Sequence, residues 1–198
     1  LWRDSGDIRA MLRNPVNMKS HASLLDSEGY YQPCLEDALR NMPPLSNPGD
    51  DTSSFNELDL FVTGTNVAGN LFHTFDDAGH PITVKDHRNL FILKHRAGRK
   101  EQLSIDSQDK ETLVKALAKL CRITSCFPAA FAPVGVLTDP QDELADRLLQ
   151  LWGKIDKPSF FLDGGVLDNK PFTSTIRAIY YRMADRPVER RLFYIEPD

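Results

Sequence analysis

An aspartate at the end of an apolar run is the sharpest chemical feature of the chain: Phe160-Phe161-Leu162-Asp163-Gly164-Gly165. Phenylalanines, leucine and then a carboxylate read as a strand that delivers Asp163 at its C-terminal end. Two glycines let the backbone turn tightly and let another group approach closely. Ligands of open α/β sheets bind at that end of strands. Desolvation by the neighbouring phenylalanines would raise the pKa of Asp163 toward the working range of a general base. The same six residues also read as a plain Asp-Gly-Gly turn.

Two further segments carry less specific chemistry. Arg122 to Val134 follows directly on a predicted helix and joins small residues, Pro128, Pro133, Phe127 and Phe131. It reads as an apolar acyl groove or as a proline-punctuated connection packed on the core. Leu60 to Gly69 runs from a strand into a loop bounded by Gly64 and Gly69. It lacks G-x-G-x-x-G, and Gly69 precedes Asn70 rather than lysine, so neither common nucleotide cradle is present.

The histidines and cysteines set limits. His73, His80 and His87 are spaced by seven residues, His95 follows, and His21 stands apart. His73 and His80 flank a predicted hairpin and could face each other, but no tight ligand pair supports a metal, so none is expected. Cys34, Cys121 and Cys126 form no C-x-x-C and no disulfide framework. They read as reduced thiols. The basic run Lys94, His95, Arg96, Arg99 and Lys100, and the later Arg186, Arg190 and Arg191, read as solvated edges or as contacts to anionic lipid headgroups.

The elements that must position these residues follow from pattern. Gly6–Leu12 and Cys34–Met42 read as short helices, with a polar, irregular stretch between them. Residues 43–56, rich in Pro, Ser, Asn, Gly and Asp, are expected to form a mobile loop. Strands are predicted at Leu58–Thr63, Leu71–Phe75, Ile82–Val84 and Leu90–Leu93, with Asp76-Asp77-Ala78-Gly79 as a hairpin turn. A helix over Asp109–Arg122 buries Leu113, Ala116, Leu117 and Leu120. The next is opened by Asp139-Pro140, carries Leu144, Leu148, Leu151 and Trp152, and ends at Gly153. Ser159–Leu162 reads as a buried strand. A helix over Pro171–Met183 has the stripe Phe172, Ile176, Ile179, Tyr180 and Met183, and a strand over Leu192–Ile195 closes the chain. This alternation points to one α/β domain with helices on both faces of a sheet.

The 198 residues, of 22.4 kDa, fit one domain or a large part of one. A net charge of −4 argues against a nucleic-acid binder that works by bulk charge. The longest uncharged stretch, Ile123–Thr138, is too short and too broken by proline to span a bilayer, and no signal peptide is visible. A cytoplasmic or peripheral-membrane location is expected.

Taken in order, three segments resemble the patatin-like phospholipase family. Phe161 to Pro171 is similar to its strand-then-Asp-Gly-Gly signature, with Asn169 and Pro171 in place. Thr124 to Val134 is similar to its Ser-x-x-Pro-x-x-Phe-x-Pro segment, and Leu60 to Gly69 to its strand leading into a Thr- and Gly-containing loop. The opening Leu1-Trp2 helix and the closing Tyr194-Ile195-Glu196-Pro197-Asp198 look most like a bacterial patatin-related subgroup. The resemblance implies a three-layer α/β/α fold and a cofactor-free Ser–Asp dyad that hydrolyses lipid acyl esters. Asp163 would be the dyad carboxylate, supported by Gly164, Gly165 and Asn169, and Phe127, Phe131 and Val134 would shape the acyl pocket. The partners implied are a lipid or acyl-ester substrate and transient contact with a membrane surface, without nucleic acid.

One part of the pattern is missing. The family's nucleophile sits in G-x-S-x-G on a strand-to-helix elbow. None of the eleven glycines here has serine two residues later. The glycine-rich loop that would supply oxyanion-hole amides is missing too. In the family both precede the matched segments, and a start at Leu1 fits a chain that begins after the elbow. The expectation is therefore a partial catalytic domain that holds the aspartate but not the serine and is inactive alone. The alternatives are a non-catalytic binding or regulatory relative, and an unrelated α/β domain in which Asp163 is a turn residue.

Overall fold

The structure, a computed structural model, describes residues 7–14, 23–42, 57–96 and 110–195. The expected mobile loop at 43–56, the basic residues Arg99 and Lys100, and His21 lie outside the described residues. In chain order the elements are α1 (Ile8–Met11), a π-helical turn (Ser27–Tyr31) leading into α2 (Gln32–Arg40), β1 (Glu57–Phe75), β2 (Pro81–Arg96), α3 (Lys110–Thr124), β3 (Val134–Val136), α4 (Glu143–Gly153), β4 (Ser159–Asp163) and α5 (Phe172–Tyr181). The fold is mixed α/β. Its four-stranded sheet has the order β2-β1-β4-β3, and every neighbouring pair is antiparallel.

The four short strands expected between Leu58 and Leu93 are two long ones. β1 and β2 form one hairpin, closed at Asp76–Gly79 as its turn residues require: Asp76 Oδ1 accepts from the backbone N–H of Ala78 and of His80. The apparent break is a bulge. Thr65 pairs with Arg88 and Asn70 with Asp86, so Asn66–Gly69 stand opposite His87 alone. Asn66 Oδ1 accepts from Ala68 and Gly69 N–H, and His87 Nδ1 lies 2.8 Å from the Asn66 carbonyl. Gly69 supplies the positive φ of 70° that the bulge needs.

The core lies between one sheet face and two helices. Phe91 and Leu93 of β2 and Phe161 of β4 pack with Leu113, Leu120 and Ile123 of α3 and Leu149 and Trp152 of α4. The rings of Phe91 and Phe161 meet edge to face at 5.6 Å. The α3 stripe is as expected. The α4 stripe is rotated: Ala145, Leu149 and Trp152 are buried, whereas Leu144 and Leu151 are exposed. Gly153 remains helical beneath the Phe91 ring, which a Cβ would meet at 2.6 Å, and Lys154 takes the left-handed terminal position instead. The Lys119 ammonium, on α3, pairs at 2.6 Å with the fully buried Asp146 of α4. The other oxygen of Asp146 accepts from Leu137 N–H, and so holds that residue's left-handed turn after β3.

Two expectations at the C-terminal end are corrected. α5 stops at Tyr181 and buries no side chain fully, and Ile176, Tyr180 and Met183 of the expected stripe are exposed. Leu192–Ile195 is not a strand. It is exposed chain, and Tyr194 packs edge to face on Phe172 with ring centroids 5.0 Å apart. No sheet edge receives it, because β2 and β3 are the outer strands among the described residues.

Candidate functional site

β4 pairs with β1 only at Gly64, Thr65 and Asn66. At Asp163 the chain leaves the sheet through a single 3₁₀ turn, Gly164–Val166. The flank of β1 before Gly64 is thus left without β4 alongside it, and a cleft of about 360 Å³ opens there. Phe61, Val62 and Thr63 of β1 form one wall and Thr124, at the end of α3, another. Asp163, Gly165, Asp168, Asn169 and Pro171 complete it. α5 is fixed against β1 from both ends, by Pro171 in the cleft and by Arg182, whose guanidinium reaches Asp59 at 2.7 Å and Glu57 at 3.0 Å.

Asp163 is held by backbone and by neighbours. Its N–H donates to the Cys126 carbonyl at 3.0 Å, and its carbonyl accepts from the Thr65 hydroxyl at 2.8 Å. Carboxylate Oδ1 accepts from Gly165 N–H at 2.7 Å, which fixes the side chain over the turn. Gly164 has to be glycine: a Cβ there would lie 2.2 Å from Thr63 Oγ1 and 2.5 Å from the Thr63 backbone. Gly165 is close to the Asn169 and Asp163 side chains, each of which a Cβ would meet at little more than 3 Å. A half-buried carboxylate with one oxygen pinned by an amide can accept a proton from a hydroxyl brought to its other oxygen.

Of the residues singled out from sequence, Asp163, Gly165 and Asn169 line the cleft, and Gly164 is the first residue of the turn between them. Phe127, Phe131 and Val134 are not among the lining residues. Phe127 is exposed, Phe131 stacks on Tyr31 at 5.5 Å beneath the Arg122 guanidinium, and Val134 pairs with Phe161 inside the sheet. Their segment supports the site differently, through the Cys126 carbonyl and through Thr124. Sequence reasoning did not single out Thr63, Thr124 or Asp168. All three sit within matched segments, and Asp168 lies five residues after Asp163.

The remaining titratable groups have local roles. His73 Nδ1 lies 3.0 Å from Thr83 Oγ1 and does not face His80, which pairs with Asp76 in the turn. Among the described residues no group of three or more His, Cys, Asp or Glu could hold a metal. Arg96, from the basic run, is engaged by Asp59 at 2.6 Å. Burial pushes the Cys121 thiol above its usual range, so it is no ready nucleophile.

No protein-family model and no solved structure matches the chain. It is similar to an uncharacterized membrane protein of Mycobacterium tuberculosis, with 27% identity over 206 residues. The match covers all of this chain and 18% of that relative, so the chain corresponds to less than a fifth of the relative's length. Among the described residues no helix is long and apolar enough to cross a membrane.

Proposed function

We propose that this chain is the aspartate-bearing part of a patatin-like serine acyl hydrolase acting on lipid esters. The observation that carries the reading is Asp163, held at a strand end in an open cleft, on a turn whose glycine the packing requires. In this reading a serine hydroxyl from outside the 198 residues approaches Asp163. The carboxylate takes the hydroxyl proton as the oxygen attacks the ester carbonyl, and the proton passes to the departing alcohol. Water then opens the acyl-enzyme by the same route, without a histidine between base and nucleophile. The apolar walls at Phe61, Val62 and Pro171 suit an acyl chain. In a patatin-like three-layer fold, the second layer would be completed by chain beyond these residues. The absence of G-x-S-x-G within the 198 residues favours a second reading, a non-catalytic binding or regulatory domain on the same scaffold.

Asp163→Asn in the complete native reading frame separates the two. The amide oxygen of asparagine can still accept from Gly165 N–H, but it cannot take a proton. Ester hydrolysis is expected to fall by at least about a hundredfold, the usual scale of general-base catalysis. A variant with wild-type kcat would reject Asp163 as the base.

A further inference from the structure

The stretch from Lys170 to Ile195, which Glu196 and Asp198 follow, differs in charge from the rest of the molecule. It holds six basic side chains, Lys170, Arg177, Arg182, Arg186, Arg190 and Arg191, against Asp185 and Glu189, on a chain of net charge −4. Arg182 is engaged by Glu57 and Asp59, and Arg191 by Glu189. Arg177, Arg186 and Arg190 make no ion pair among the described residues, and all three are exposed.

Large apolar and aromatic side chains lie beside these arginines. Tyr180, Tyr181 and Phe193 are exposed, Met183 is 96% exposed and Ile195 91%. Tyr194 folds back on Phe172, with the Lys170 ammonium 5.4 Å from its ring. The stretch therefore returns to Asn169 and Pro171 at the rim of the Asp163 cleft.

We propose that α5 and residues 182–195 form a docking surface for an anionic phospholipid bilayer. Tyrosine and phenylalanine rings favour the headgroup level of a membrane. Met183 and Ile195 can reach the acyl boundary, as the apolar face of an interfacial segment does. Arg177, Arg186 and Arg190, the last of which also donates to the Arg182 carbonyl, attract anionic headgroups, while the acidic remainder of the chain is repelled, so the molecule meets such a surface with this face forward. The cleft mouth is then delivered to the bilayer. That deepens the acyl-hydrolase reading and rests on it for the choice of substrate, but docking is read out without turnover.

The test is co-sedimentation of the 198-residue chain with vesicles of phosphatidylserine in phosphatidylcholine, against pure phosphatidylcholine vesicles. Binding to the anionic vesicles alone, weakened by added salt, is expected. Arg177→Glu, Arg186→Glu and Arg190→Glu together should lower partitioning by at least about a hundredfold, at about fivefold for each arginine lost and more for the carboxylates gained. Met183→Ser with Ile195→Ser should weaken it while keeping its salt dependence. All five side chains are exposed, so circular dichroism should stay unchanged. Equal binding to both vesicle types, no binding, or partitioning indifferent to the charge reversals would overturn the proposal. So would a chain dimer that Met183→Ser with Ile195→Ser abolishes while no vesicle is bound. Docking that survives in a full-length protein with no reactive serine would remove the hydrolase and leave the membrane surface standing.

Discussion

Gly164 and Gly165 are adjacent in sequence but tolerate substitution differently. A methyl group at Gly164 would overlap the Thr63 hydroxyl and backbone, and backbone cannot yield cheaply. Gly164→Ala is expected to cost about 2–4 kcal/mol in urea unfolding. Gly165→Ala meets only the ends of Asn169 and Asp163 and should cost about 1 kcal/mol or less. Similar losses for the two would show that the turn is not set by its approach to β1. At this scale the turn that carries Asp163 was legible in the sequence, because the Asp-Gly-Gly pattern records a close backbone approach directly. The surroundings of the residues expected to shape an acyl pocket were not. Phe127 and Phe131 look alike in sequence, and only packing shows one exposed and the other stacked on Tyr31.

At the scale of elements, the hairpin and the α3–α4 contact make separate predictions. The Asp76 carboxyl is held below the usual carboxylate range, first by the N–H of His80, and Asp86 likewise, first by the Arg88 guanidinium. Each folded value lies below the unfolded one. Their contribution is therefore fully present above the ordinary carboxylate pKa and is lost as pH falls through the lower folded values. In an NMR titration, the Ala78 and His80 amides should shift together with the Asp76 carboxyl, below the ordinary range. Amides indifferent to that titration would show that the carboxylate does not hold the turn. In α3, Lys119→Met strands the buried Asp146 without its cation, and a loss of about 3–5 kcal/mol is expected in denaturant unfolding. A loss under about 1 kcal/mol would mean that Leu137 N–H and solvent suffice for Asp146. Helix positions were legible from periodicity, but the α4 face was not. Leu144 and Leu151 match Leu149 in bulk and exceed Ala145, yet Ala145, Asp146 and Leu149 meet α3 and the sheet. The bulge at Asn66–Gly69 hid the continuity of β1, because Asn and Gly within an apolar run read as a loop.

For the whole molecule, the alternation of helix and strand correctly pointed to mixed α/β structure, but alternation does not specify strand direction. Direction depends on how β4 runs along β1, a contact nearly a hundred residues apart in sequence. The stripe of α5 was misleading for a related reason. Periodic apolar residues predict a face that something covers, and among the described residues Ile176, Tyr180 and Met183 are not covered. The central claim, that Asp163 serves a serine absent from these residues, is tested most directly by fluorophosphonate labelling. The complete native reading frame is labelled beside this 198-residue chain. A serine labelled in the complete protein, with no label in the chain, is the predicted result. A folded complete protein that takes no label would contradict the account and leave Asp163 as the anchor of a turn.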